Sequence, residues 1–166
     1  PIFFGAFGPI VIMLGMHYAV TIPLALAAIE AFGYDMLGPG FLVANIAQGA
    51  AAFAVAAQAK DKGFKSLAIS TGCSALLGTT EPALYGVNLR LKKPMVCACV
   101  AGGIGSAVAG LFGCAGTAFA LPALTTLPVF MSRAFVPFCI SLALAFGLAF
   151  LFTLFVPIDD VTEEEM

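Results

Sequence analysis

Long apolar blocks, uncharged except for Glu30 near the end of the first, alternate along the chain with short clusters of charged residues, proline and glycine. Four blocks, at residues 9–32, 41–59, 94–113 and 134–156, are long enough for membrane-spanning helices. Such a helix needs about 20 apolar residues to cross about 30 Å of hydrocarbon. Pro23 should kink the first of them, because proline removes one helical hydrogen bond. The pattern therefore predicts about four transmembrane helices.

Two further apolar blocks do not fit a simple crossing. Residues 66–78 are too few for an ordinary transmembrane helix and run directly into TTEP, after which residues 82–91 lead to a basic cluster. Residues 114–130 contain Pro122 and Pro128, so they are too interrupted for a lipid-facing helix and too apolar for an aqueous loop. We predict two re-entrant hairpin segments, one at residues 66–91 and one, buried by protein, at residues 114–130.

Small residues recur at every fourth position in the block at residues 94–113, namely at Gly102, Ser106 and Gly110. A stripe of this kind lets another helix approach closely. A dinucleotide-binding loop does not explain the same glycines, because the G-x-G-x-x-G spacing is not met and no strand pattern precedes them. The stripe therefore predicts a helix–helix contact.

The composition agrees with a membrane location. Hydrophobic residues make up 61% of the chain and charged residues 10%, against about 45–50% and about 25% in soluble domains. A water-soluble globular enzyme is thereby excluded. With 7 Lys and Arg residues and a net charge of -2, the chain also lacks a basic face for nucleic acid. We predict an all-α, polytopic membrane protein surrounded by the lipid bilayer.

The basic residues indicate which way the chain faces, since Lys and Arg concentrate on the cytoplasmic side of membrane proteins. If residues 66–91 re-enter, two basic clusters share the cytoplasmic side and only Arg133 lies outside; if they cross, the clusters are on opposite sides. The charges favour the hairpin and place the C-terminus, with an acidic tail or linker at residues 158–166, in the cytoplasm. The clustered residues are Lys60, Lys62, Lys65, Arg90, Lys92 and Lys93.

Glu81, in the sequence GTTEPALYG, is the strongest functional candidate. It lies where the short apolar block at residues 66–78 reverses, and an ionisable group at membrane depth is costly unless it has a partner or a function. Gly78 and Pro82 should free the backbone around Thr79 and Thr80 from helical pairing. A carboxylate beside free backbone groups suits a neutral polyol. The alternative is that Glu81 caps the next helix or pairs with a buried cation.

Three other polar residues within the apolar blocks are candidate site residues. His17, the only histidine, can donate and accept hydrogen bonds at modest desolvation cost, and it is either a ligand contact or a structural residue. Asn45 and Gln48 are three positions apart on one helix face. Their amides could hold neighbouring helices together or bind sugar hydroxyls, and position alone favours neither.

The sequence contains no recognisable catalytic or metal-binding motif. The five cysteines lie in apolar surroundings, without the Cys-x-x-Cys or His partners of a zinc site, so we predict small buried side chains. A phosphate-binding loop and a Ser-His-Asp arrangement are also missing. We expect no cofactor and no catalytic residue, and any phosphoryl group must come from elsewhere.

Residues 78–94, GTTEPALYGVNLRLKKP, closely resemble the signature of the membrane-embedded IIC component of bacterial phosphoenolpyruvate-dependent sugar phosphotransferase systems (PTS), glucose superfamily. The resemblance extends to GMHYAVTIP at residues 15–23 and LVANIAQGAA at residues 42–51. Within the superfamily, FGYD at residues 32–35 is most similar to the β-glucoside permeases. Sucrose and trehalose permeases remain alternatives, although they tend to carry a second histidine where this chain has Tyr18.

The resemblance implies a transport domain that binds one sugar and moves it, elevator-like, against a scaffold in the bacterial inner membrane. The sugar would then be phosphorylated by a IIB domain, itself supplied by IIA, so that IIC acts as the permease subunit of a sugar phosphotransferase. By position, Glu81 would hydrogen-bond the hydroxyl destined for phosphorylation or one near it, and His17 would share its pocket. The family motif commonly has Ile where this chain has Thr79.

We expect the chain to be the C-terminal half of IIC and a piece of a longer protein. Residues 1–157 would form part of the permease domain, and the parent would dimerise through earlier helices. Two other hypotheses stay open. An ion-coupled sugar transporter could bind a proton or cation at Glu81, and a purely structural module would bind no substrate.

Overall fold

The computed structural model describes residues 1–130 and 134–158. The orientation of Arg133 and most of the acidic tail therefore lie outside the described residues. In chain order the elements are α1 (Ile2–Met13), α2 (His17–Phe32), α3 (Gly38–Gln58), α4 (Lys62–Leu76), α5 (Glu81–Ala83), a π-helix (Leu84–Asn88), α6 (Leu89–Leu91), α7 (Lys93–Leu111), a 3-10 helix (Leu124–Phe130) and α8 (Phe135–Phe155).

Helices dominate the described ranges, which confirms the all-α class. Within residues 1–130 and 134–158, three helices, α3, α7 and α8, are long and apolar enough to cross a membrane. They coincide with the predicted blocks at residues 41–59, 94–113 and 134–156. The chain is a polytopic membrane protein of the predicted class.

The prediction of a single membrane-spanning helix at residues 9–32 is wrong, because two helices occupy this region. α1 begins at Ile2 and ends at Met13, and α2 begins at His17. Between them Gly15 has φ +71°, a left-handed conformation that glycine adopts readily because it has no Cβ. No charge or proline marks this break, so the hydropathy pattern alone does not reveal it. The break makes His17 the first residue of a helix.

α3 is the central helix of the fold. It is flanked by α1, α4, α7 and α8, and its most hydropathic stretch is 89% buried. Its many alanine and glycine residues let several helices pack closely around it. The outer helix α8 is 33% buried over the corresponding stretch, so much of its phenylalanine-rich surface is exposed. α3 therefore provides the rigid element from which the site is built.

The stripe of small residues on α7 packs as predicted. A Cβ built on Gly102 would lie 2.5 Å from the carbonyl oxygen of Gly5 in α1, and Ser106 lies directly against the same glycine. At Gly110 a Cβ would make ordinary contact with Ile2, 3.6 Å away. The predicted helix–helix contact is confirmed, and its partner is α1.

The block at residues 66–91 folds as a helical hairpin. α4 runs to Leu76, a short turn follows, and the helical stretch from α5 to α6 packs against both α4 and α3. At the turn Gly78 has φ +100°, and a Cβ there would lie 3.1 Å from the carbonyl oxygen of Pro122. The tip of the hairpin therefore touches the second interrupted segment, which is irregular up to Ala123 before the 3-10 helix begins.

Candidate functional site

A pocket lies between α2, the start of α3, the tip of the hairpin and the second interrupted segment. α2 and the start of α3 are neighbours in sequence, whereas the hairpin tip and the second interrupted segment reach them only through tertiary packing. The residues that line the pocket are Ile12, His17, Tyr18, Thr21, Ala25, Asp35, Leu37, Gly38, Phe41, Asn45, Gly78, Thr80, Glu81, Phe119, Ala120, Leu121 and Pro122.

His17 and Glu81 face each other in this pocket. His17 Nε2 lies 3.2 Å from Glu81 Oε1, and the side chains are 16% and 35% exposed. Each residue begins a helix that follows an interruption: the break around Gly15 precedes His17, and the hairpin turn precedes Glu81. His17 Nδ1 is buried and has no hydrogen-bond partner among the described residues. The pair therefore places a carboxylate and an imidazole side by side in the pocket lining.

Asn45 links two of the elements that line the pocket. Its Nδ2 donates a hydrogen bond of 2.7 Å to the backbone carbonyl of Pro122, which links α3 to the second interrupted segment. Its Oδ1 is buried and has no hydrogen-bond partner among the described residues. A buried polar atom without a partner costs free energy, and a bound hydroxyl would satisfy it. Thr80 is also buried and lines the same space.

Two of the predicted site residues, Thr79 and Gln48, do not line the pocket. Thr79 is exposed, and its N–H donates to the carbonyl of Ser74 within the hairpin turn. Gln48 is fully buried, and its Oε1 accepts a hydrogen bond of 2.9 Å from Asn88 Nδ2. Of the two roles considered for Gln48, this geometry matches the one that holds neighbouring helices together.

Three polar lining residues were not among the sequence candidates. Thr21 lies one helical turn after His17 and donates to its backbone carbonyl at 2.6 Å, so helical periodicity could have identified it. Tyr18 contacts His17, with ring centroids 4.0 Å apart. Asp35 follows α2 in what the sequence indicates only as a turn, and the pairing that buries it is with distant Gly116.

The lining is suited to a neutral polar ligand. Among the described residues, it contains carboxylates, amide and hydroxyl groups and a histidine, with neither Lys nor Arg. Throughout the part of the chain that the structure describes, no group of three or more His, Cys, Asp or Glu side chains could hold a metal ion. The prediction of buried cysteines is confirmed for Cys97 and Cys114, whereas Cys99 is only partly buried. It is wrong for Cys73 and Cys139, which are exposed because they lie on outward-facing sides of α4 and α8.

Comparison with known proteins shows the family. A sequence model described as the phosphotransferase system, EIIC, matches residues 1–102. The chain belongs to the EIIC family of the phosphotransferase system. The sequence resemblance to the IIC component is thereby confirmed, and the membrane-spanning character of the helices agrees with it.

Curated relatives of this EIIC chain are larger proteins. It is 43% identical, over 83% of its length, to the PTS system beta-glucoside-specific EIIBCA component of Bacillus subtilis (strain 168), covering 23% of that protein. It is 35% identical, over 97% of its length, to the arbutin-, cellobiose-, and salicin-specific EIIBC component of Escherichia coli (strain K12), covering 34% of it. A sucrose-specific EIIBC component of Pasteurella multocida (strain Pm70) is 37% identical over 92% of the chain, which covers 32% of that protein.

The chain thus spans about a quarter to a third of the length of these relatives. No solved structure matches it.

Asn45 in this EIIC chain offers a test of the pocket wall. We expect Asn45→Ala to lower kcat/KM for the sugar about fivefold. The substitution removes the hydrogen bond between a bound hydroxyl and Asn45 Oδ1, which is worth about 1 kcal/mol. Steady-state sugar phosphorylation by the full-length parent measures this. The matched control is Gln58→Ala, because Gln58 on the same helix also donates to a backbone carbonyl at 2.7 Å, that of Thr153, outside the pocket. Equal losses in both variants would contradict a role for Asn45 in the site.

Proposed function

We propose that this chain is the sugar-binding part of an EIIC permease that takes up a β-glucoside and presents it to EIIB for phosphorylation. The observation that carries the proposal is the His17–Glu81 pair, 3.2 Å apart, in a pocket whose described lining contains no Lys or Arg. Each residue begins a helix directly after an interruption of the chain, His17 after the break around Gly15 and Glu81 after the hairpin turn.

The chemistry of the pocket supports a sugar as the ligand. A sugar hydroxyl can donate to the Glu81 carboxylate and to Asn45 Oδ1, and it can form a hydrogen bond with the His17 imidazole, so the three side chains offer complementary groups. Glu81 would accept from the hydroxyl that is phosphorylated or from its neighbour. Tyr18, Phe41 and Phe119 also line the pocket and would cover the apolar faces of the ring or an aglycone.

The β-glucoside assignment draws on two observations. Of the three relatives given above, the one of highest identity, at 43%, carries a beta-glucoside-specific name. The sucrose-specific component is 37% identical and the arbutin-, cellobiose-, and salicin-specific component 35%. At the position where sucrose and trehalose permeases tend to have a second histidine, this chain has Tyr18, which lines the pocket. A sucrose-specific or trehalose-specific permease is the alternative within the family.

Phosphorylation in this proposal depends on partners. The relatives are fused EIIBC or EIIBCA proteins, which supports EIIB and EIIA domains acting with this chain. The chain would contribute orientation and exclusion of water, since holding two reactants in place can itself lower the barrier substantially. Residues 1–157 would be the permease part, with the C-terminus in the cytoplasm and a homodimer formed through earlier helices of the parent.

An ion-coupled sugar transporter is the second candidate. The observation that favours it is the same His17–Glu81 pair, because protonatable groups at broken helices often bind coupling ions. In that case sugar would accumulate unmodified, driven by a membrane gradient. Phosphotransfer predicts a phosphorylated product instead.

The test uses the full-length parent in inverted membrane vesicles with a labelled aryl β-glucoside and labelled sucrose. We expect phospho-glucoside to form only when phosphoenolpyruvate and the general phosphotransfer proteins are added. We expect sucrose to be a poor substrate. A protonophore should leave this reaction unchanged. Accumulation of free sugar in intact cells that stops with the protonophore would establish the ion-coupled alternative, and preferential phosphorylation of sucrose would replace the β-glucoside assignment.

A further inference from the structure

Asp35 contributes a second carboxylate to the pocket. It is 1% exposed and lies in the turn between α2 and α3. Its Oδ1 accepts hydrogen bonds from the N–H groups of Leu37 at 2.8 Å and Gly38 at 3.1 Å. Its backbone N–H and carbonyl pair with those of Gly116, at 2.9 and 2.8 Å. Asp35 is therefore held rigidly at the start of α3 by two separate parts of the chain.

Capping the start of α3 does not account for the whole carboxylate. The hydrogen bonds to Leu37 and Gly38 use Oδ1 only, and among the described residues Asp35 forms no salt bridge. A Cβ built on Gly38 would lie 2.6 Å from Asp35 Oδ2, so the absence of a side chain at Gly38 leaves this oxygen room. Asparagine caps helices as well as aspartate does, whereas a buried unpaired charge is costly. The second oxygen is thus available for a ligand.

We propose that Asp35 Oδ2 accepts a hydrogen bond from a sugar hydroxyl other than the one that Glu81 binds, and that it thereby determines which sugars fit. The inference rests on the proposed sugar-binding function. The two carboxylates are carried by different parts of the fold, Glu81 by the hairpin and Asp35 by the turn before α3. Two separate acceptors select a ligand with two suitably spaced hydroxyl groups. This is a stronger requirement than polarity alone.

A site built to accept a particular hydroxyl discriminates sharply against an analogue that lacks it, because the buried acceptor is then left without a partner. Single-deoxy analogues of a β-glucoside therefore probe each hydroxyl in turn. The readout is the inhibition constant of each analogue against labelled β-glucoside, which also works for the analogue that cannot be phosphorylated. The protein is the full-length parent in membrane vesicles with its phosphotransfer partners.

The variant is Asp35→Asn, which keeps an oxygen for the N–H groups of Leu37 and Gly38 but removes the charge. We expect it to raise the inhibition constant of the unmodified glucoside about tenfold or more, as for a lost hydrogen bond to a charged group. One deoxy analogue should be unaffected by the substitution, because it lacks the hydroxyl that Asp35 contacts. Comparing constants within one preparation makes the result independent of how much protein reaches the membrane.

The matched control is Asp61→Asn. Asp61 caps α4 through a hydrogen bond from the N–H of Phe64, and it does not line the pocket. This variant should change no inhibition constant. If Asp35→Asn weakens every sugar equally, or none, Asp35 only stabilises the start of α3 and the inference is wrong. Failure of the proposed function is seen separately, as a wild-type parent that forms no phospho-glucoside from phosphoenolpyruvate.

Discussion

Replacing Glu81 with glutamine is expected to lower kcat/KM for phosphorylation of a β-glucoside by about a hundredfold. Glutamine keeps the size of the side chain but loses the charge, and hydrogen bonds to charged groups are roughly twice as strong as neutral ones. The variant also loses the charged partner of His17, 3.2 Å away. Two such losses of about 1.5 kcal/mol each correspond to about two powers of ten.

The measurement is phosphoenolpyruvate-dependent formation of labelled phospho-glucoside by the full-length parent, at matched abundance in the membrane. Glu30→Gln is the control, because Glu30 is exposed on α2 and does not line the pocket. It makes the same chemical change and should retain wild-type activity. Comparable activity in the two variants would place Glu81 outside the sugar site. A purely structural module predicts lower abundance of Glu81→Gln without any transport phenotype.

Of the substitutions proposed for this protein, replacing Gly105 with valine is expected to cause the largest loss of thermal stability. A Cβ at this position would lie 2.7 Å from the Cβ of Ala145, and 2.9 Å from both the Ser141 carbonyl oxygen and Val43 Cγ1. The glycine is thus enclosed by α8 on one side and α3 on the other. Because backbone atoms of α8 are involved, side-chain rotation cannot relieve the contact. Forcing extra atoms into a packed core costs about 1–3 kcal/mol or more.

Thermal unfolding of the full-length parent in detergent, followed by size-exclusion chromatography of the heated samples, measures this loss. Gly147→Val provides the control, since it makes the same substitution within α8, where a Cβ would meet nothing within 4 Å. Both changes alter helix propensity equally, so the difference between them isolates packing. We expect the Gly105 variant to unfold at a clearly lower temperature. Equal shifts would show that α7 and α8 can separate at little cost.

The three longest helices could be predicted from the spacing of charges and prolines. α3, α7 and α8 begin or end near residues that hydropathy marks clearly, such as Lys93 and the clusters after Gln58. The division between α1 and α2 could not be predicted in this way. It depends on the backbone conformation of Gly15. A hydropathy count does not register this conformation, because glycine gives the same value inside a helix and at a break.

The candidate site was predicted in part. His17, Asn45 and Glu81 were recognised as polar residues in apolar surroundings, and Thr80 was recognised from the Gly78 and Pro82 that flank it. All four line one pocket. Asp35 was missed because a carboxylate in a glycine- and proline-containing turn is ordinary in sequence. It becomes notable only once Gly116 pairs with its backbone and buries it. Gln48, in turn, lies on the same helix as Asn45 but bonds to Asn88 outside the pocket.

By itself the sequence determined the class of the protein, the approximate positions of its longest helices and the family to which it belongs. These properties follow from local composition and short motifs, which are independent of how the helices pack. Only the tertiary structure decided which polar residues share a pocket. His17, Asp35, Asn45 and Glu81 lie on separate segments, and their meeting depends on the close packing of small residues around α3, which no single segment encodes.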